Sequence, residues 1–295
     1  MDHLKACPVC QGTDFSHFIS CKDYTVSKET FHLEQCSTCG FVMTNPKPSD
    51  AELPRYYQSD AYISHSNKSS NIIDQIYKIS RTYTLQWKYR LIQQLSLNTP
   101  NSILDYGCGT GAFLKECKKN GINVTGVEPS EVAREQARKN TQSLIVPDIS
   151  EIANQYDAIT LWHVLEHVSN LNETLTLLKS HLAENGTMFI AVPNLKSADA
   201  NKYGKFWAAY DVPRHLWHFT ANTMERLLNN HHLKLINVVP MKLDAYYVSL
   251  LSEKYRSDGK GAVAGMIKAA LQGWKSNSLA KNTREYSSLI YIARK

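Results

Sequence analysis

The sequence predicts an α/β protein: a doubly wound, mostly parallel, Rossmann-like sheet of seven strands, preceded by a small four-cysteine module. Three observations predict it. From Ser102 onward, short β-rich runs alternate with helical segments, the sequence form of repeated βαβ units. The first of those runs ends in a glycine-rich turn, and two C-x-x-C pairs lie within the first 48 residues. With 295 residues, 43% hydrophobic and 20% charged, the chain can bury one large core plus an appendage, which excludes the disordered and fibrous classes.

In chain order, Cys7/Cys10 and Cys36/Cys39 enclose strand-like residues 30–33. This module, residues 1–48, closes at Asn45-Pro46-Lys47-Pro48, a sequence unsuited to continuing helix or strand. Residues 49–97 lead into the sheet. A linker rich in Tyr and Ser, 56–71, is followed by Ile72, Ile76, Ile79, Tyr83, Trp87, Leu91 and Leu95 at helical spacing, so one or two amphipathic helices are expected. Residues 98–295 form the α/β domain. Its expected strands are 103–106, 123–127, 143–146, 158–161, 187–192, 235–239 and 289–293; its helices are 112–120, 131–140, 171–182 and 222–230. Two late insertions, 194–220 and 242–283, interrupt the pattern.

Two close cysteine pairs separated by 25 residues match a pair of metal-binding knuckles, with Gly40 permitting the tight turn. Four thiolates predict one tetrahedral structural zinc at Cys7, Cys10, Cys36 and Cys39, with iron as the minor alternative ion and free thiols as the plainer reading. A 48-residue module of this kind draws its folding energy from the metal. Cys21, Cys108 and Cys117 are left as buried thiols. The first residues have no apolar run behind their charges, and no stretch approaches the roughly 18 to 20 apolar residues that span a bilayer. A cytoplasmic protein is expected.

Residues 102–113 set Asp105 and alternate glycines Gly107, Gly109 and Gly111 at the end of the first strand, where backbone can approach a bound cofactor closely. Glu128, seventeen residues beyond Gly111 at the end of the second strand, can accept both hydroxyls of a ribose. A nicotinamide-binding domain shares that acid but uses G-x-G-x-x-G. The G-x-G-x-G spacing with Asp105 in front resembles motif I of class I methyltransferases. The resemblance implies S-adenosylmethionine as cofactor, Asp105 holding its methionine moiety, often through water, and Asp148 meeting the adenine amino group.

The resemblance extends over residues 70–295 through the segment 157–168, Glu184-Asn-Gly186, Val192-Pro-Asn194 and the run D-V-P-R-H-L-W-H-F-T at 211–220. Together these look like the ubiquinone-biosynthesis type of methyltransferase and its bacterial relatives. The quinone enzymes carry Glu-x-x-Glu-His in this segment, proposed to hold a divalent cation; here the first Glu is His163, a departure from the quinone pattern. N-terminal zinc modules of this kind occur in bacterial sugar C-methyltransferases and related enzymes of surface-glycan pathways. A zinc-bearing ribosomal RNA guanine methyltransferase is the competing resemblance, but its second knuckle pairs Cys with His. Residues 1–48, at net −1, also make a poor phosphate-binding surface. A small-molecule, sugar or lipid-linked glycan acceptor is therefore expected, nucleic acid is set aside as partner, and a non-catalytic nucleotide-binding module is the third class.

Methyl transfer to a sulfonium-activated carbon needs alignment and, for a hydroxyl or acidic carbon, removal of a proton. His163, at the carboxyl end of the fourth strand, is the first candidate base, with packing beside the cofactor as its alternative. His215 is the second candidate. Glu166 and His167 read as structural, with a metal or catalytic role as the alternative. Trp207, Tyr210, Trp217 and Phe219 around Asp211, Arg214, His215 and His218 suit an acceptor wall, or a purely structural lid. In the second insertion, Val263, Met266, Ile267, Ala270, Leu271 and Trp274 share one helix face amid the basic stretch 254–284. Such a face covers the catalytic domain, a homodimer partner, or an anionic membrane surface.

Overall fold

The computed structural model describes residues 1–57, 72–258 and 262–295. The linker expected over 56–71 therefore lies almost wholly outside the described residues, as do residues 259–261 of the basic stretch 254–284. The cysteine segment contributes β1 (Phe15–Lys22), β2 (Thr30–Cys36) and β3 (Val42–Thr44). A single helix, α1 (Ile72–Leu95), leads into the α/β core, its side chains described from Tyr83 onward. Ile72, Ile76 and Ile79 thus fall outside the described side chains. Leu91 is buried and Trp87 and Leu95 pack against the same cluster, but Tyr83, expected on that stripe, is 61% exposed.

The core follows as β4 (Ser102–Tyr106), α2 (Ala112–Lys119), β5 (Asn123–Val127), α3 (Glu131–Thr141), β6 (Leu144–Val146), β7 (Tyr156–Trp162), α4 (Leu171–Ser180) and β8 (Leu182–Pro193). The first insertion holds α5 (Ala198–Tyr203) and β9 (Trp217–His218); α6 (Ala221–Asn230) and β10 (Lys234–Pro240) follow. The second insertion is a helical pair, α7 (Asp244–Arg256) and α8 (Ala262–Thr283), before the last strand β11 (Ser288–Arg294). Local chemistry sets the helix starts. Ser130 and Ser197 cap α3 and α5 through their hydroxyls, and Thr220 with Thr223 forms a reciprocal capping pair at α6.

The seven-stranded sheet has the order β10-β11-β8-β7-β4-β5-β6. β11 runs antiparallel to both neighbours; the β6-β5-β4-β7-β8 pairings are parallel. Successive side chains alternate between the two faces, as a sheet covered on both sides requires. Met188, Ile190 and Val192 join one core cluster, and Phe189 and Ala191 the other. Strand order reverses between β4 and β7, which fixes the crevice beyond their carboxyl ends as the ligand position of this architecture.

The cysteine segment does not pack as an independent bead. Its sheet has the order β1-β2-β3-β9, so its fourth strand comes from the first insertion of the α/β core. Cys7, Val9, Cys36, Phe41 and Met43 share one apolar cluster with Leu216, Trp217 and Phe219. Among the described residues, no helix is long and apolar enough to cross a membrane.

Candidate active site

At the crevice, Asp105 ends β4 with only 3% exposure and accepts the Thr160 hydroxyl of β7 at 2.6 Å. Burial raises its carboxyl, against the Thr160 hydrogen bond and the nearby Lys88 ammonium, to about 7. Lys88 of α1 stands 4.2 Å above the Trp162 ring. Burial lowers its ammonium to about 8, opposed by Asp244 and Asp105.

The glycine turn divides its work between packing and approach. Gly107 has φ +74, and a Cβ there would fall 2.5 Å from Val164. Gly109 has φ +53 with no heavy atom within 4 Å of where its Cβ would be, so the backbone is open on that side. Gly111, also left-handed, abuts Ala137 of α3. Glu128 reaches back over the turn, accepting the Gly109 amide at 2.8 Å and the Ser130 amide at 2.9 Å. Asp148 accepts the Ser150 amide at 2.8 Å and caps the short turn Ile149–Glu151. Two carboxylates flanking an open glycine turn at the sheet's switch point fit an adenosyl ligand whose far end carries an ammonium: Glu128 for the ribose hydroxyls, Asp105 for the cation.

His163 follows β7 with φ 59, a left-handed conformation that costs a non-glycine residue about 1–2 kcal/mol. Two carboxylates hold it there. Its Nε2 lies 2.9 Å from Asp244 Oδ2, and its Nδ1 lies 3.3 Å from Glu166 Oε1. Burial alone would lower the imidazole, but Asp244 and Glu166 outweigh it and push it up to about 10. A histidine held as imidazolium does not accept a proton at neutral pH, so the expectation of a base at His163 does not follow from this geometry. His163 is a positioned cation.

The other candidates lie behind it. Glu166 is fully buried on the turn Leu165–His167, and its backbone carbonyl accepts the Leu216 amide at 2.8 Å. His167 and His215 meet edge to face, ring centroids 4.5 Å apart. Burial and the proximity of His215 lower His167 to about 4. The aromatic residues expected to wall the acceptor are core instead. Trp207 donates to Asp199, Trp217 donates to the Val168 carbonyl, and Trp207, Tyr210, Trp217 and Phe219 are all at most 5% exposed. Arg214 is likewise internal: it donates to Asp211 through Nε and Nη2, to Asp23 through Nη2 at 3.0 Å, and to the Tyr56 carbonyl through Nη1. That one guanidinium ties the insertion to the cysteine segment.

The four cysteines expected to bind metal gather as predicted. Cys7 and Cys39 sulfurs are 3.6 Å apart, those of Cys10 and Cys36 are 3.5 Å apart, and all four lie within 4.8 Å of one another. Four Zn–S bonds of about 2.3 Å in a tetrahedron put sulfurs about 3.8 Å apart. The cluster fits that ion.

A family model described as a methyltransferase domain matches residues 77–238, more than half of the chain. The chain belongs to this methyltransferase family. It is 30% identical over 146 residues to a malonyl-[acyl-carrier protein] O-methyltransferase of Halalkalibacterium halodurans, covering 43% of this chain and 52% of that one. To a ubiquinone biosynthesis O-methyltransferase of Rickettsia typhi it is 31% identical over 116 residues, covering 37% and 47%. The chain spans about half the length of the curated relatives it matches. Among solved structures, magnesium protoporphyrin IX methyltransferase from Synechocystis PCC 6803, with bound S-adenosylhomocysteine, superposes with a TM-score of 0.54 at 14% identity, covering 83% of this chain and 100% of that one. The plantazolicin methyltransferase complexed with S-adenosylhomocysteine gives 0.52 at 18% identity, over 82% and 93%. The seven-stranded sheet of this methyltransferase-family chain is thus the class I methyltransferase fold.

Lys88 and Asp244 escaped the sequence reading. Asp244 lies 81 residues from the histidine it holds, and nothing in its local pattern marks it. Lys88 sits in a helix whose apolar residues carry the only legible signal.

Proposed function

We propose that the chain transfers a methyl group from S-adenosylmethionine to a small-molecule acceptor. The observation that carries the reading is the glycine turn, open in front of Gly109 and flanked by Asp105 and Glu128 where the strand order reverses. The cofactor supplies a methyl carbon already activated by its sulfonium. The chain's residues align and hold protons. Glu128 orients the ribose, Asp105 and the charge of Lys88 behind it fix the methionine end, and His163 presents a cation kept charged by Asp244 and Glu166. Such a site suits an acceptor that arrives as an anion or a neutral amine, for which no protein base is needed. Where a hydroxyl must lose its proton, His215 is the remaining imidazole candidate.

Structural zinc at the four cysteines belongs to the same proposal, because β3 of their segment carries β9 and, through it, the stretch holding His215. A lipid-linked acceptor is the finer reading. Val263, Ile267, Leu271 and Trp274 of α8 are 58–72% exposed on one helix face, and exposed Lys268, Lys275 and Lys281 lie along the same helix. An apolar stripe with basic neighbours suits an anionic membrane surface. The direct experiment uses S-adenosylmethionine labelled in its methyl group with fractionated cell extract. Label in a glycan, lipid or soluble metabolite supports the reading, and label in RNA overturns it.

A further inference from the structure

We infer that a bilayer-anchored acceptor reaches the crevice across the first turns of α7, so that the group it presents for methylation lies within one sugar's length of its lipid anchor. The inference rests on the membrane reading of α8 and adds to it the route and the class of acceptor. Its basis is Asp244, the first residue of α7, whose Oδ2 lies 2.9 Å from His163 Nε2 just past β7. The residue that holds the imidazolium thus opens a helix with an exposed apolar face. Leu243 is 45% exposed, Tyr246 37% and Leu250 40%, at the i, i+3, i+7 spacing of one side of a helix.

That face adjoins the one on α8. Gly273, the neighbour of Trp274, has no room for a side chain, because a Cβ there would fall 2.6 Å from Tyr246 Cδ1. Among the described residues of α8 only Ala269, Gly273, Ser276 and Ala280 are buried, so its large apolar side chains stand outward. Charge selects the occupant. α8 carries Lys268, Lys275 and Lys281 and no acid, and both acids of α7 are engaged, Asp244 with His163 and Glu253 with Arg256. A second copy set face to face would bring lysines together with no acid between them, whereas an anionic bilayer meets the cations and the apolar face at once. Consecutive Cα atoms are about 3.8 Å apart, so a bilayer that receives Leu243 has His163 about 10 Å from its hydrocarbon edge. The polar layer on each side of a bilayer is about 5–7 Å deep. An acceptor atom beside His163 therefore stands just above headgroup level, within reach of a lipid headgroup or the first sugar on it.

The test uses low-salt vesicles of phosphatidylglycerol and phosphatidylcholine, the latter brominated along its acyl chains so that it quenches any tryptophan reaching the hydrocarbon. In a Trp274→Phe background, Leu243→Trp should add fluorescence that brominated vesicles quench and unbrominated ones leave intact. With S-adenosylmethionine labelled in its methyl group and a membrane extract, the wild type should label the lipid fraction. Leu243→Glu should lower that labelling about 10-fold, the scale of losing one buried leucine, while S-adenosylhomocysteine still binds and reports an intact fold. A wild type that does not bind the vesicles removes the membrane reading and this inference with it. Vesicle binding with the Leu243→Trp fluorescence unquenched leaves that reading standing and overturns the route alone. Lipid labelling unchanged in Leu243→Glu, or label confined to soluble metabolites, overturns the route as well.

Discussion

Arg214 is the buried link between the cysteine segment and the α/β core, and its replacement by methionine should destabilise the whole molecule. The guanidinium is 1% exposed and the Asp23 side chain it meets is 0% exposed. Removing one partner of a buried ion pair costs about 3–5 kcal/mol, because the other charge is stranded. Asp23 keeps donors from Thr25, Val26 and Ser27, and Asp211 is 24% exposed, which moves the figure to the low end. The Tyr56 carbonyl loses its donor as well, adding about 1 kcal/mol. A loss of about 4 kcal/mol is a large part of an ordinary native stability of about 5–15 kcal/mol. With a urea slope of about 3 kcal/mol/M, the midpoint should fall by about 1.3 M. In the double variant with Asp23→Asn the two losses should sum to less than their separate values, since the stranded charge is gone. A midpoint shift below about 0.3 M in Arg214→Met, about 1 kcal/mol at that slope, refutes the reasoning. Arg214 also holds Asp23 and Asp211 below the ordinary carboxylate range, outweighing their burial. The stability they lend is present above that range and is lost as pH falls through it, and Arg214→Met should lose the part of this acid sensitivity that the guanidinium supplies, while the Ser27 and Val26 amides still lower Asp23.

Three other expectations follow from the same geometry. Asp105, raised to about 7, is the anion that a cationic amino-acid moiety needs, so affinity for S-adenosylhomocysteine should fall as pH drops from 8 to 6. Calorimetry that finds a flat profile in the wild type, or the same slope in Asp105→Asn, removes Asp105 from that role. Purified protein should hold about one zinc per chain, and Cys36→Ser should lose it together with the native fluorescence of Trp217, which shares its apolar cluster. Metal analysis that finds none in protein never exposed to chelator leaves the cysteines as thiols. Anionic vesicles at low salt should co-sediment the wild type but not Trp274→Glu; concentration-dependent dimerisation lost in the same variant would instead assign the face to a second copy.

The α/β core was legible because its strands are apolar runs buried on both faces, bounded by turn residues; β5 matches its expected span of 123–127 residue for residue. β8 was read short. It begins at Leu182 rather than 187, and Asn185-Gly186, which reads as a turn, lies where the pairing with β7 shifts register. β9 is two residues, too short for any periodicity, and only its pairing with β3 makes it a strand. The half-exposed pattern of β1 likewise gives little signal. In the site, Asp105, the glycines, Glu128 and the four cysteines were readable because each sits within a spacing the local backbone demands. The ties His163 to Asp244 and Arg214 to Asp23 span 81 and 191 residues, and only the packed fold brings them together. At His163 the carboxylates of Asp244 and Glu166 outweigh the burial and hold a cation where the spacing suggests a base.

Whether the crevice between β4 and β7 binds S-adenosylmethionine as a methyl donor is decided by calorimetry with S-adenosylhomocysteine. One site per chain is expected in the wild type, with binding weakened more than about 10-fold in Glu128→Ala, from the loss of a charged acceptor worth about 1.5–3 kcal/mol. Tight binding of NAD with no response to S-adenosylhomocysteine would contradict it.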